Sequence, residues 1–257
     1  MSVYSPNYHL TANKKRNRPQ IANPKVASMA SPIATTTTTP TTTSKTPTPH
    51  RQIRATYDTT AITVYQAYSS SIASAAVKYQ KLSASPDFSF TRMTWIKPSW
   101  SWMMYRSGYS YKDARQTNIL ALKMRHEDFE ALLKTAVLAH GPAPTKGQEG
   151  DEEDKLEKRK RSERVVVQWD PERSFRIGKL EHRSIQIGIP RALVERWVEE
   201  GIVGIEDVTE RARALKKVVE EEKDVTNEEL LERGLIPDER VYEVPERLRK
   251  ILGMDEV

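Results

Sequence analysis

Phe88–Gly108 reads FSFTRMTWIKPSWSWMMYRSG, and the way this stretch divides sets the fold class. Its first half, FSFTRMTWI, alternates as a strand; Pro98 ends the strand, because proline has no amide hydrogen to give a ladder. SWSWMMYRS then reads as a short helix or a turn that folds back. Three of the five tryptophans lie here, Trp95, Trp100 and Trp102, with Arg92, Lys97 and Arg106 set among the rings. A stretch built only to fill a core uses aliphatic side chains and few charges. Aromatic faces with a few fixed cations are what a pocket wall needs. Met103 and Met104, behind Trp102, read as core.

Outward from this block, short elements alternate. IRATY (53–57) reads as a strand, and apolar Ile62, Tyr65, Tyr68, Ile72, Ala76 and Tyr79 recur at helical spacing, predicting an amphipathic helix over 62–82. TNILALKM (117–124) is a strand, followed by a helix over 126–140 with acids in its first turn. VVVQWDPER (165–173) and RSIQIGIP (183–190) are strands, then a helix opens at Pro190. IVGIEDV (202–208) is a last strand, with helices at 209–222, after the Thr226–Glu229 capping box, and after Pro245. The expectation is an α+β fold: one compact domain over 51–257, about six short strands with interspersed helices.

Charge is informative only by region. Residues 1–50 carry six Lys/Arg and no Asp or Glu, and include the low-complexity run ATTTTTPTTTSKTPTP. They are expected to form a disordered Thr/Pro-rich tail. Plain tail, organelle targeting, and nuclear targeting by KKRNR at 14–18 all fit it. The other 207 residues hold 35 cations against 35 anions, so an argument from basicity to nucleic acid fails for the body of the chain. Residues 141–164 read as a flexible, charged insertion. The chain has no cysteine, which removes disulfides and thiolate chemistry and fits an intracellular, most simply cytoplasmic, setting. No apolar run is long enough for a membrane span.

The phosphate-loop, dinucleotide, hydrolase-elbow and zincin motifs are all missing, and the histidines are too scattered to suggest a metal site. What remains are polar residues inside strands. Period-2 alternation puts Arg54 on a face with Thr56, Arg92 with Thr94, and Ser184 with Gln186, opposite Ile185 and Ile187. Each strand arginine is either on a solvated face or binds an anion. Gln168, Trp169, Asp170 and Arg173 fall at a strand end, where open sheets carry functional groups; a plain turn capped by Trp169 fits them equally.

IRATYD, ITVYQAYSSSIA, FSFTRMTWIKPSWSWMMYRSGY, VQWDPER, RSIQIGI, IEDVT and YEVPERLRKILGM together resemble the family catalogued as domain of unknown function 4291, in order over 52–254. The resemblance implies a distant similarity to the ADP-ribosyltransferase-like fold, which holds NAD in a cleft between two small sheets. On that basis Arg54, on the first strand, would orient the dinucleotide and Gln186, on a late strand, would act at the ribose; these are the two expected catalytic residues. Transferases of that fold usually carry Glu where this chain has Gln186. Tyr57, Tyr65, Arg92, Thr94, Trp95, Lys97, Ser99, Tyr105, Arg106, Ser107, Gln168, Trp169, Asp170 and Arg183 make up the expected NAD-binding set. The acceptor, protein or nucleic acid, is open. Two alternatives stand beside this enzyme: a non-catalytic nucleic-acid-binding or RNA-processing module, in which exposed rings stack bases, and an interaction domain without catalysis.

Overall fold

In the run AITVYQAY (61–68) five of the eight residues, Ile62, Thr63, Val64, Tyr65 and Tyr68, are β-branched or aromatic, and both faces are mostly apolar, the composition of a strand buried on two sides. The computed structural model, which describes residues 48–139 and 163–254, makes it one. The expected tail over 1–50, apart from its last three residues, and nearly all of the expected insertion at 141–164 lie outside the described residues. The strands and helices, in order, are β1 (Arg54–Ala55), β2 (Ala61–Tyr68), α1 (Ser70–Tyr79), β3 (Thr94–Ile96), α2 (Trp100–Ser107), β4 (Asn118–Arg125), α3 (His126–Lys134), β5 (Val137–Leu138), β6 (Val166–Arg173), β7 (Lys179–Ile189), α4 (Arg191–Arg196), β8 (Ile202–Asp207), α5 (Thr209–Glu221), α6 (Asn227–Glu232), β9 (Arg240–Val241) and α7 (Glu246–Ile251). The fold is α+β, as the alternation predicts.

The helix expected over 62–82 is a correction. Ile62, Tyr65 and Tyr68 lie on β2, and helix begins only at Ser70. β2 runs antiparallel to β4 along its whole length, from Ala61 opposite Arg125 to Tyr68 opposite Asn118. Partners on both faces therefore bury residues that a helix would have placed on one stripe, and Tyr79, counted on that stripe, is 61% exposed. The helix expected to reach residue 140 stops at Lys134, because Val137 and Leu138 pair in parallel with Val166 and Val167.

Two sheets carry the fold. One has the order β2–β4–β8, the other β3–β7–β6–β5, and β1 pairs with β9 as a separate ribbon. The β6–β7 hairpin holds its register from Val166 opposite Gly188 to Pro171 opposite Arg183, then shifts at a bulge so that Arg173 faces Lys179. Its inward residues Val167, Trp169, Ile185 and Ile187 join Ile62, Val64, Leu120 and Leu122 in one buried cluster. Met103 and Met104 are core, as expected, in a second cluster with Tyr65, Trp100 and Leu215.

A backbone bridge joins the two sheets. Tyr65 N on β2 donates to Lys97 O at 2.6 Å, and Lys97 N donates back to Tyr65 O at 3.4 Å. Beyond this junction the chain turns at Pro98 into α2. Ser99 caps that helix by accepting from Trp102 N at 3.1 Å, and Gly108 closes it at φ +56°, a conformation glycine reaches without a Cβ clash.

Candidate functional site

A cavity of about 360 Å³ opens where the sheets join. β2 contributes Tyr65, Gln66, Ala67 and Tyr68. The segment into and past β3 contributes Arg92, Met93, Thr94, Trp95 and Lys97. α2 adds Trp102, Met103 and Arg106, and Gln116 and Gln186 complete the wall. Of the sixteen residues expected from sequence, the structure brings together seven here: Tyr65, Arg92, Thr94, Trp95, Lys97, Arg106 and Gln186.

The floor is set by hydrogen bonds. Gln66, buried on β2, donates from Nε2 to Thr94 Oγ1 at 2.7 Å and to Trp95 O at 2.8 Å, and Tyr68 OH donates to Gln66 Oε1 at 2.6 Å. These bonds use the whole Gln66 amide and lock β3 to β2. Burial raises the phenol pKa values of Tyr65 and Tyr68, so both stay protonated at neutral pH. Arg106 donates to Gln116 Oε1 at 3.1 Å, which fixes its guanidinium at the wall. Among the described residues no carboxylate forms an ion pair with Arg92 or Arg106, and none lines the cavity.

Lys97 is the most constrained member. It is 2% exposed, its Nζ donates to Asp170 Oδ2 at 2.8 Å, and the same Nζ lies 3.3 Å from the centroid of the Trp102 ring. Burial pushes the ammonium pKa down to about 7, against the opposing pull of Asp170 and Glu172. Gln168 donates to the other oxygen of Asp170 at 2.8 Å, so that carboxylate is bound on both sides.

The remaining nine expected residues lie elsewhere. Arg54 is the main correction. β1 pairs with β9, and Arg54 Nη2 donates to Glu239 O at 2.8 Å, at a second cavity of about 400 Å³ lined also by Trp100, Arg173 and Glu239. It does not share a wall with Gln186. Tyr57 packs edge-on against Tyr242 and donates to Val241 O. Ser99 is buried, capping α2 and donating to Glu172 at 2.8 Å. Ser107 is buried and donates to Met103 O. Trp169 is core, with its indole N–H on Leu252 O. Tyr105 faces outward under the Arg173 guanidinium, 3.7 Å from its ring centroid. Gln168 and Asp170 reach the cavity only through Lys97, and Arg183 donates to Trp169 O and bonds His50.

Sequence reasoning missed Gln66, Tyr68 and Gln116 as wall residues. Gln66 carried a usable signal, as the one amide in an otherwise apolar strand. The others depend on pairings distant in sequence. No group of three His, Asp or Glu side chains suited to a metal occurs among the described residues, and no helix among them is long and apolar enough to cross a membrane.

The segments that build this cavity are the ones that carry the family resemblance. No curated protein matches the chain. The family model described as "Domain of unknown function (DUF4291)" matches residues 52–242, from the strand before the junction to the last strand. Since that span holds every wall residue of the cavity and most of the chain, the protein belongs to the DUF4291 family.

Proposed function

We propose that the cavity binds a phosphate-bearing nucleotide and that the reaction is ADP-ribosyl transfer from NAD. One observation carries the proposal: Arg92, Arg106 and Gln186 surround one aromatic cavity whose wall, among the described residues, has no carboxylate. A concave site with two arginines and no wall carboxylate favours an anion, and guanidinium groups bind phosphate through paired N–H donors. Trp95, 37% exposed at the mouth, offers a ring face to a base or nicotinamide. The volume is at the small end of ligand sites, ~300–1,000 Å³, so it encloses part of a dinucleotide and leaves the rest at the mouth.

Breaking a nicotinamide–ribose bond passes through a cation-like sugar. This chain's residues supply what the step needs: arginines to hold the pyrophosphate, rings to exclude water, and the Gln186 amide oxygen as a dipole toward developing positive charge. With Arg54 at the second cavity, Arg92 and Arg106 take the phosphate role in this proposal. Gln186 sits opposite Gln168 across the hairpin, where the strand holds it rigidly.

The test is nicotinamide release from NAD, followed by chromatography, with thermal shift in NAD, ATP and short RNA run beside it. Release that falls at least ~tenfold in Gln186→Ala, with the NAD-induced shift retained, supports the proposal. A salt-sensitive shift with RNA and none with NAD would replace it with the nucleic-acid module.

A further inference from the structure

We propose that Lys97 is a reactive amine that condenses with the carbonyl of a phosphate-bearing aldehyde or aldose held in the same cavity by Arg92 and Arg106. The inference rests on the phosphate-binding part of the reading above and is independent of NAD.

Lys97 is an expensive residue at its position. Its side chain is 2% exposed with a single carboxylate partner, and a buried ion pair is commonly matched or exceeded in stability by apolar side chains of similar size. Packing alone therefore does not account for an ammonium between Trp102 and Asp170. What the arrangement supplies is a fixed nitrogen at the wall of a cationic, phosphate-suited cavity. Asp170 at 2.8 Å and the Trp102 face at 3.3 Å hold it in place.

Two opposing effects set its protonation. The Asp170 carboxylate, the more remote Glu172 and the Trp102 ring favour the ammonium. Burial favours the free amine. The balance lies at about 7, so a substantial share of the lysine is neutral, and the neutral amine is the nucleophile. Among the described residues, Lys97 is the only lysine on this wall.

The step balances without a further reactant. Asp170 accepts one proton from the ammonium, and the freed lone pair bonds to the carbonyl carbon while the C=O π pair moves to oxygen. That oxygen collects two hydrogens that began on the nitrogen and leaves as water. The nitrogen keeps one hydrogen and a double bond to carbon, giving a protonated imine that pairs with the regenerated Asp170 carboxylate. Charge is unchanged and nothing is oxidised or reduced.

Pyridoxal 5′-phosphate is a suitable probe, because it carries both an aldehyde and a phosphate. Full-length protein would be treated with it at pH 7, reduced with borohydride to fix any imine, and mapped by peptide mass spectrometry. Unphosphorylated pyridoxal and added inorganic pyrophosphate form parallel arms. The expected result is labelling of Lys97 at least ~tenfold above the exposed Lys134 and Lys250, because most ordinary lysine is protonated at that pH. Pyridoxal should label it at least ~tenfold less, and pyrophosphate or the double substitution Arg92→Ala with Arg106→Ala should protect it, as loss of the phosphate hold requires. Labelling confined to exposed lysines, or equal labelling by pyridoxal, would overturn the proposal. The readout is taken on the wild-type chain, so it does not depend on a Lys97 variant folding. Labelling of Lys97 without any NAD binding would leave this inference standing and remove the NAD reading alone.

Discussion

Replacing Lys97 with Met should change the pH dependence of stability in a defined direction. The folded chain holds this ammonium at about 7, below its ordinary 10.5, so between those values the unfolded chain binds more protons than the folded one. Stability therefore rises with pH through that window, by up to roughly 1.4 kcal/mol per pH unit. Over about 3.5 units the change approaches ~5 kcal/mol, an upper figure because relaxation and water entry soften burial. Below pH 7 the wild type bears the full penalty of a charged, buried group. Lys97→Met removes the titrating group and fills similar space, and Asp170 keeps its bond from Gln168. The assay is urea unfolding of both proteins at pH 7, 8 and 9. The wild type should gain on Lys97→Met at each step, by about 1 kcal/mol in total, half of the roughly 2.7 kcal/mol ceiling for these two pH units if solvent relaxation halves it. Parallel stability curves would refute the reasoning, showing that Lys97 titrates in the folded chain as it does in the unfolded one.

Two further outcomes follow from the same geometry. A Cβ at Gly188 would lie 2.8 Å from the Trp95 ring and 3.0 Å from the Met93 sulfur; Gly188→Ala should push the indole toward the cavity, cost ~1–3 kcal/mol of stability in chemical denaturation and weaken nucleotide binding. Glu239, whose Oε1 accepts from Trp100 N, has its carboxyl raised to about 8 by burial; its contribution is fully present below about 4.5 and is lost as pH rises through about 8, so Glu239→Gln should gain melting temperature relative to wild type between pH 5 and 8.5.

Elements whose evidence is local were legible in the sequence. Pro98 marked the end of β3 and the start of a short helix or turn, which is α2, and the strict alternation of Ser184–Ile187 put Ile185 and Ile187 inside with Gln186 at the cavity. β2 was misread because a strand covered on both faces has no single apolar stripe, and its side chains then fit a helical period by coincidence. Arg54 was misplaced for a different reason. Its strand pairs with β9, more than 180 residues away, so nothing near it in sequence says which cavity it borders. The Lys97–Asp170 pair, 73 residues apart, was equally invisible: both residues were candidates, and their contact depends on the junction between the two sheets.

Isothermal titration of NAD into the wild-type protein and into the Arg92→Ala, Arg106→Ala double variant tests the central claim most directly. The account predicts saturable binding by the wild type, weakened at least ~100-fold in the double variant, since each charged hydrogen-bonding contact is worth roughly 1.5–3 kcal/mol. Equal affinity in the two proteins, or no heat from NAD with the wild type, would contradict it.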